Sequence, residues 1–173
     1  MSHGLDIGTL LLRIALGITM LAHGYNHAWG GGKLAGTARW FESIGIRPGR
    51  VHAFLATATE LAVAPLLFLG LLTPLAAAGV LGVMLVALIS NHLKNGYFIF
   101  RPGEGYEYVL FLTFASLALG ALGGGGWSID RVLIDHGVAG CRWLYGWHGL
   151  LVAAVAGGGG AGLLLATCWR PNR

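Results

Sequence analysis

Several side chains in this sequence could gather around a ligand: His23, His27, His52, Asn91, His92, Tyr106 and Glu107. His23 and His27 are four apart, so a helix through them carries both on one face. Imidazole and carboxylate ligate divalent metals, with His23, His27 and His92 as the candidate set. Two histidines on facing helices can hold haem iron axially. The same groups can hydrogen-bond the carbonyls of a quinone and relay its protons, with His23, Asn91, His92, Tyr106 and Glu107 as the cofactor-binding set. Residue types and spacing leave metal, haem and quinone all open. Taken singly, each of these residues reads as a polar group at a wet interface, and only their convergence points to a site. His3, His136 and His148 fall away from the group and read as surface residues. Arg13 and Glu60 form a second set, each within an apolar run. Buried charges need partners, so these two are expected to form a structural ion pair between the first two long helices.

Other chemistry is missing from the sequence. It holds no P-loop, no G-x-G-x-x-G after a strand, no H-E-x-x-H and no G-x-S-x-G. Cys141 and Cys168 are far apart and form no C-x-x-C, which argues against a thioredoxin-like dithiol. The net charge is +4, but the Lys and Arg residues are scattered among loops rather than run together, so nucleic acid is not an expected partner.

The elements that must position these residues are membrane helices. Of the 173 residues, 55% are hydrophobic and only 10% charged. A soluble domain carries about 25% charged residues, and this chain has too little polar surface to cover itself in water. The expected partner is therefore a lipid bilayer. A span needs about 20 largely apolar residues. Four such segments run over about 7–26, 52–72, 74–94 and 106–122, and a fifth runs over about 147–168. The first has no small-residue cleavage site after it and reads as a mature helix. Pro74 suits the first turn of the third. The fifth contains Gly157 to Gly160 in a row, which lipid tolerates because the backbone has no other hydrogen-bond partner there. Between the first two spans, Leu34, Ala38, Phe41 and Ile44 recur at near-helical spacing, as in a short interfacial helix. Trp143, Tyr145 and Trp147 suit an aromatic belt. The fold class expected is an all-α integral membrane protein: a four-helix bundle over 1–130, then an interfacial segment and fifth helix over 131–173.

Alternation of the spans sends His23, His27, His52, Asn91, His92, Tyr106 and Glu107 to one end of the bundle. That end also carries Lys33, Arg39, Arg47, Arg50, Lys94, Arg101, Arg170 and Arg173, against Arg131 and Arg142 at the other. The positive-inside rule makes it cytoplasmic, with the N-terminus external and the C-terminus cytoplasmic.

The assembled pattern resembles the DoxX family of small bacterial membrane proteins, over about Leu10 to Asp130. It rests on Arg13 and Gly17, then His23-Gly24 and Lys33; on Glu60 before Gly70-Leu71-Leu72-Thr73; and on a Gly-rich stretch before Ser128-Ile129-Asp130. The resemblance implies a four-helix bundle in the bacterial cytoplasmic membrane. Relatives include the membrane subunit of a thiosulfate:quinone oxidoreductase, and others are linked to oxidative-stress defence and thiol homeostasis. The family's polar positions carry over as Arg13, His23 and Glu60, with His92 and Glu107 as further matches. The residues after Asp130 depart from the family pattern, and their small side chains suit docking against a partner.

Three functions compete. The first is a membrane subunit of a redox-linked assembly that binds quinone or haem at the polar end. The second is a non-catalytic accessory or scaffold subunit of a larger membrane protein complex. The third is a small transporter, ranked last because the sequence shows no inverted repeat.

Overall fold

The computed structural model describes residues 3–138 and 140–171. Arg173, counted above among the orientation charges, lies outside the described residues, as does the side chain of Arg142. The chain is all-helical: α1 (His3–Trp29), α2 (Lys33–Ser43), α3 (Gly49–Leu69), α4 (Thr73–Asn95), α5 (Glu107–Leu122), α6 (Ile129–Asp135) and α7 (Gly146–Cys168). Four of these, α1, α3, α4 and α7, are long and apolar enough to cross a membrane. The segment expected as the fourth span, α5, has 16 residues, about 24 Å of helix, and ends where Gly123 turns to φ 71°.

The core lies where α1, α3, α4 and α5 meet, with Leu16, Met20, Leu67, Val80 and Leu119 buried together. The short helix expected between the first two spans is present as α2, and its apolar stripe turns inward: Ala38 and Phe41 are buried with Ile46 and Ala53, and Leu34 and Ile44 pack on them.

The closed end of the bundle is organised by the turn between α3 and α4. Gly70 takes φ 62° and Leu72 φ 50°, so the chain reverses within three residues. The reversal puts the last carbonyls of α3 beside the first amides of α4, two sets of backbone groups that helices cannot pair internally. Arg13, fully buried on α1, donates from Nη1 to the carbonyls of Leu67 (3.1 Å) and Phe68 (3.4 Å), and from Nη2 to that of Trp127. Asp130 accepts from the amides of Leu72 (2.7 Å) and Thr73 (2.8 Å). A cation thus sits at one helix C-terminus and an anion at the next N-terminus, each opposing the local dipole. Asp6 joins the same network by accepting from the Gly126 amide at 2.6 Å.

The expected Arg13–Glu60 pair does not form. Arg13 stands level with residues 67–68 of α3, some seven residues or about 10 Å along the helix from Glu60, and its partners are the carbonyls just described. Glu60 pairs with His27 instead.

The last helix belongs to the bundle. Gly157 packs so tightly on α4 that a Cβ there would fall 2.5 Å from the Ala78 carbonyl oxygen, and one on Gly149 would fall 2.3 Å from that of Gly120 on α5. Its far end is strapped to the loop between α2 and α3: Arg47 donates its amide to the Cys168 carbonyl (2.9 Å), Arg170 to that of Gly45 (2.7 Å), and Trp169 Nε1 to that of Ile44 (3.0 Å). The small residues expected to meet a partner are, at Gly149 and Gly157, used within the chain.

Arg13→Ala should leave the buried Leu67 carbonyl and the part-buried Phe68 and Trp127 carbonyls without their donor and lower unfolding stability by roughly 3 kcal/mol. Gly70→Ala should be comparably damaging, because its Cβ would lie 2.2 Å from Arg13 Nη1 in a backbone conformation that disfavours side chains. Thermal unfolding in detergent checks both, and an unchanged midpoint in either variant would contradict this account of the turn.

Candidate functional site

The opposite end of the bundle is open. A cavity of about 500 Å³ lies there, enclosed by α1, α2, α3, α4 and α7 with the start of α5 and the loop before it. That volume is in the range of small-molecule sites. Small residues form part of the lining: Ala56 on α3, Ala78, Gly79 and Gly82 on α4, and Gly157 and Gly160 on α7. Phe41, Ile44, Val83, Met84 and Leu164 supply apolar walls.

The polar lining comes from separate elements. His23 and His27 enter from α1, His52 and Glu60 from α3, and Asn91 and His92 from α4. Glu60 lies midway along α3 and is only 1% exposed. Its Oε2 is 2.8 Å from His27 Nδ1. A carboxylate that deep is costly unless paired, and a shared proton between the two groups meets that need. The His27 ring is fixed further by edge contacts, with centroids 6.4 Å from His23 and 6.3 Å from Phe41.

On α4 the helix opens into a π turn over Leu88–His92. The extra residue in that turn re-aims Asn91 and His92, a device common at functional sites. His92 Nδ1 is 2.9 Å from the Glu104 carbonyl, so it carries the proton, and Nε2 accepts from the Asn91 side-chain amide at 3.3 Å. Both nitrogens of His92 are therefore engaged. Asn95 binds the carbonyls of Asn91 and Glu104 (3.2 Å each) and that of Gly103, tying the loop before α5 to the end of α4.

Of the expected site residues, His23, Asn91 and His92 line the one cavity, with His27 and His52 beside them. Tyr106 and Glu107 do not line it. Tyr106 stacks edge-on against Tyr97 with centroids 5.5 Å apart, and the Glu107 amide donates to the Tyr97 carbonyl at 2.9 Å. These contacts tie the start of α5 to the loop, and Tyr108 and Glu104 take the lining positions instead. Glu104 gets there through a left-handed backbone at φ 59°, which helical spacing gives no means of anticipating. The proposed metal set His23, His27 and His92 is not brought together as ligands. Among the described residues no group of three or more His, Cys, Asp or Glu is placed to hold a metal ion. The cause is local: Glu60 holds His27, and Asn91 and Glu104 hold His92.

Apolar helices of spanning length, closed by a polar knot at one end and open at the other, define a multi-pass membrane protein. The DoxX family model matches residues 8–93, from α1 almost to the end of α4. A Bacillus subtilis (strain 168) protein named "Putative oxidoreductase CatD" is 34% identical over 119 residues, covering 69% of this chain and 83% of that protein. The chain belongs to the DoxX family. No solved structure matches it.

His27→Ala should leave Glu60 buried without its partner and cost about 3–5 kcal/mol of stability. Replacing both residues by apolar ones of similar size should recover most of that loss. Unfolding midpoints of the single and double variants check the coupling, and simple additivity would mean that the pair is not a unit.

Proposed function

We propose that the chain is an integral membrane subunit of a redox-linked assembly and that its cavity binds the ring of a quinone. The observation that carries this reading is the His27–Glu60 pair on the wall of an otherwise largely apolar cavity. A lipid-soluble quinone needs both features: apolar walls for its ring and tail, and hydrogen-bonding groups for its carbonyls. The residues present suit such a group. His27 and Glu60 hold a proton at the cavity wall, and Asn91, His92 and Tyr108 add polar groups to the lining. A bound quinone would supply two-electron chemistry, and the chain's own part is to bind and orient the ring and to hold protons near it. The name of the Bacillus subtilis relative, which describes that protein as an oxidoreductase, favours the same class.

The distribution of Lys and Arg supports a cytoplasmic position for the open end. In that arrangement the cavity mouth faces the compartment of soluble reductants, and a partner of the assembly would meet it there.

The test is purification from the native membrane in mild detergent, followed by quinone extraction, a dithionite-minus-oxidised spectrum and identification of co-purifying chains. Stoichiometric quinone, depleted in His23→Ala, is the expected result. His23 suits this variant because it is exposed. A haem band lost in the same variant would replace quinone by haem. A clean spectrum with no quinone and a large partner attached would make the chain an accessory subunit.

A further inference from the structure

We infer that His52 presents Nε2–H to the cavity as a fixed hydrogen-bond donor for a ligand carbonyl oxygen, an inference that rests on the quinone reading above. His52 sits in the first turn of α3, lines the cavity and is only 7% exposed. Its Nδ1 is shut away from water and has no hydrogen-bond partner. Its Nε2 is not among the occluded, partnerless atoms, so the accessible edge of this ring is the Nε2 edge.

The tautomer follows from this asymmetry. A neutral imidazole has one N–H and one lone pair, and an imidazolium has two N–H groups. A proton on Nδ1 would be stranded without an acceptor in either the Nδ1–H tautomer or the cation, and a stranded charged donor costs most. The neutral Nε2–H form is the one that keeps the polar proton where a partner can reach it.

The other cavity histidines differ. His27 is held by Glu60 through Nδ1, both nitrogens of His92 are engaged, and His23 is exposed. His52 is the cavity histidine that is more than nine-tenths buried and whose ring makes no hydrogen bond within the chain. Glu60 lies eight residues further along the same helix, about 12 Å. His52 therefore marks the outer polar point of the cavity wall and the His27–Glu60 pair the deeper one, so a carbonyl of an entering ring meets a donor at the mouth.

The experiment uses the full chain in nanodiscs with 15N-labelled histidine imidazoles, and decylubiquinone as the probe. The His52 signals are assigned by their loss in His52→Phe. Without the probe, His52 should be neutral with the proton on Nε2. Decylubiquinone should shift the Nε2 signal along the same saturation curve as binding measured by tryptophan fluorescence. His52→Phe should weaken that binding by roughly five- to tenfold, the effect of one lost hydrogen bond. His52→Gln, which keeps an N–H donor, should recover most of it. An Nδ1–H tautomer, or binding that leaves the His52 signals unmoved, would overturn the inference and leave the cavity reading standing. Failure of the wild-type chain to bind decylubiquinone would overturn both.

Discussion

The structure depends on how the chain closes the turn between α3 and α4. In a membrane, backbone groups at a helix end have no water to pair with. A three-residue reversal concentrates the problem by bringing one helix's last carbonyls next to the following helix's first amides. Arg13 answers the carbonyls and Asp130 the amides. Because Arg13 comes from α1 and Asp130 from the start of α6, the same bonds fix three parts of the chain to one point. They also set how α1 lies along α3. Gly17 packs on Phe68 and Gly24 on Glu60 and Leu61, and in that antiparallel register the His27 side chain reaches Glu60.

The two ends of the bundle are consequently unlike. At the closed end, Arg13 Nη1 and Nη2 and both Asp130 oxygens bind backbone while Arg13 Nε and Thr73 Oγ1 have no partner, and the packing leaves no room for a ligand: a Cβ on Gly70 or Gly126 would already collide with Arg13 or Asp6. At the open end, glycine and alanine line the walls of a cavity. Polar groups there are paired with each other in part, and capacity is left over at His52. The last helix completes this cavity, although the family match ends before it begins. The strap from Arg47 and Gly45 to Cys168 and Arg170 holds that wall in place. The part of the chain that departs from the family pattern thus contributes to the site as well as to the bundle.

Much of the architecture was legible in the residues. Apolar runs, Pro74 and the glycines after α3 and α5 mark the helices within a few residues, because span length and helix termination are local properties. Alternation of the spans was enough to send His23, His27, Asn91 and His92 to the same end. Local pattern also sets depth along the membrane normal, and so it could tell that Arg13 and Glu60 were buried charges needing partners.

Which partners they took was decided by the tertiary structure. Arg13 and Glu60 have opposite charge and moderate depth, but the register of α1 on α3 separates them, and the competing acceptors for Arg13 are backbone carbonyls that no side-chain pattern advertises. Tyr106 and Glu107 lie at the right depth and yet stay out of the cavity lining, Tyr106 stacking on Tyr97 in the loop, because rotation about a helix axis is set by packing with neighbours. Glu104 reaches the cavity through a left-handed backbone, and the π turn at Leu88–His92 re-aims two lining residues. The sequence by itself determined a membrane-spanning helical protein with polar groups gathered at one end. Only the tertiary structure decided which of them meet, because contact depends on register and rotation, which arise from many distant packing interactions at once.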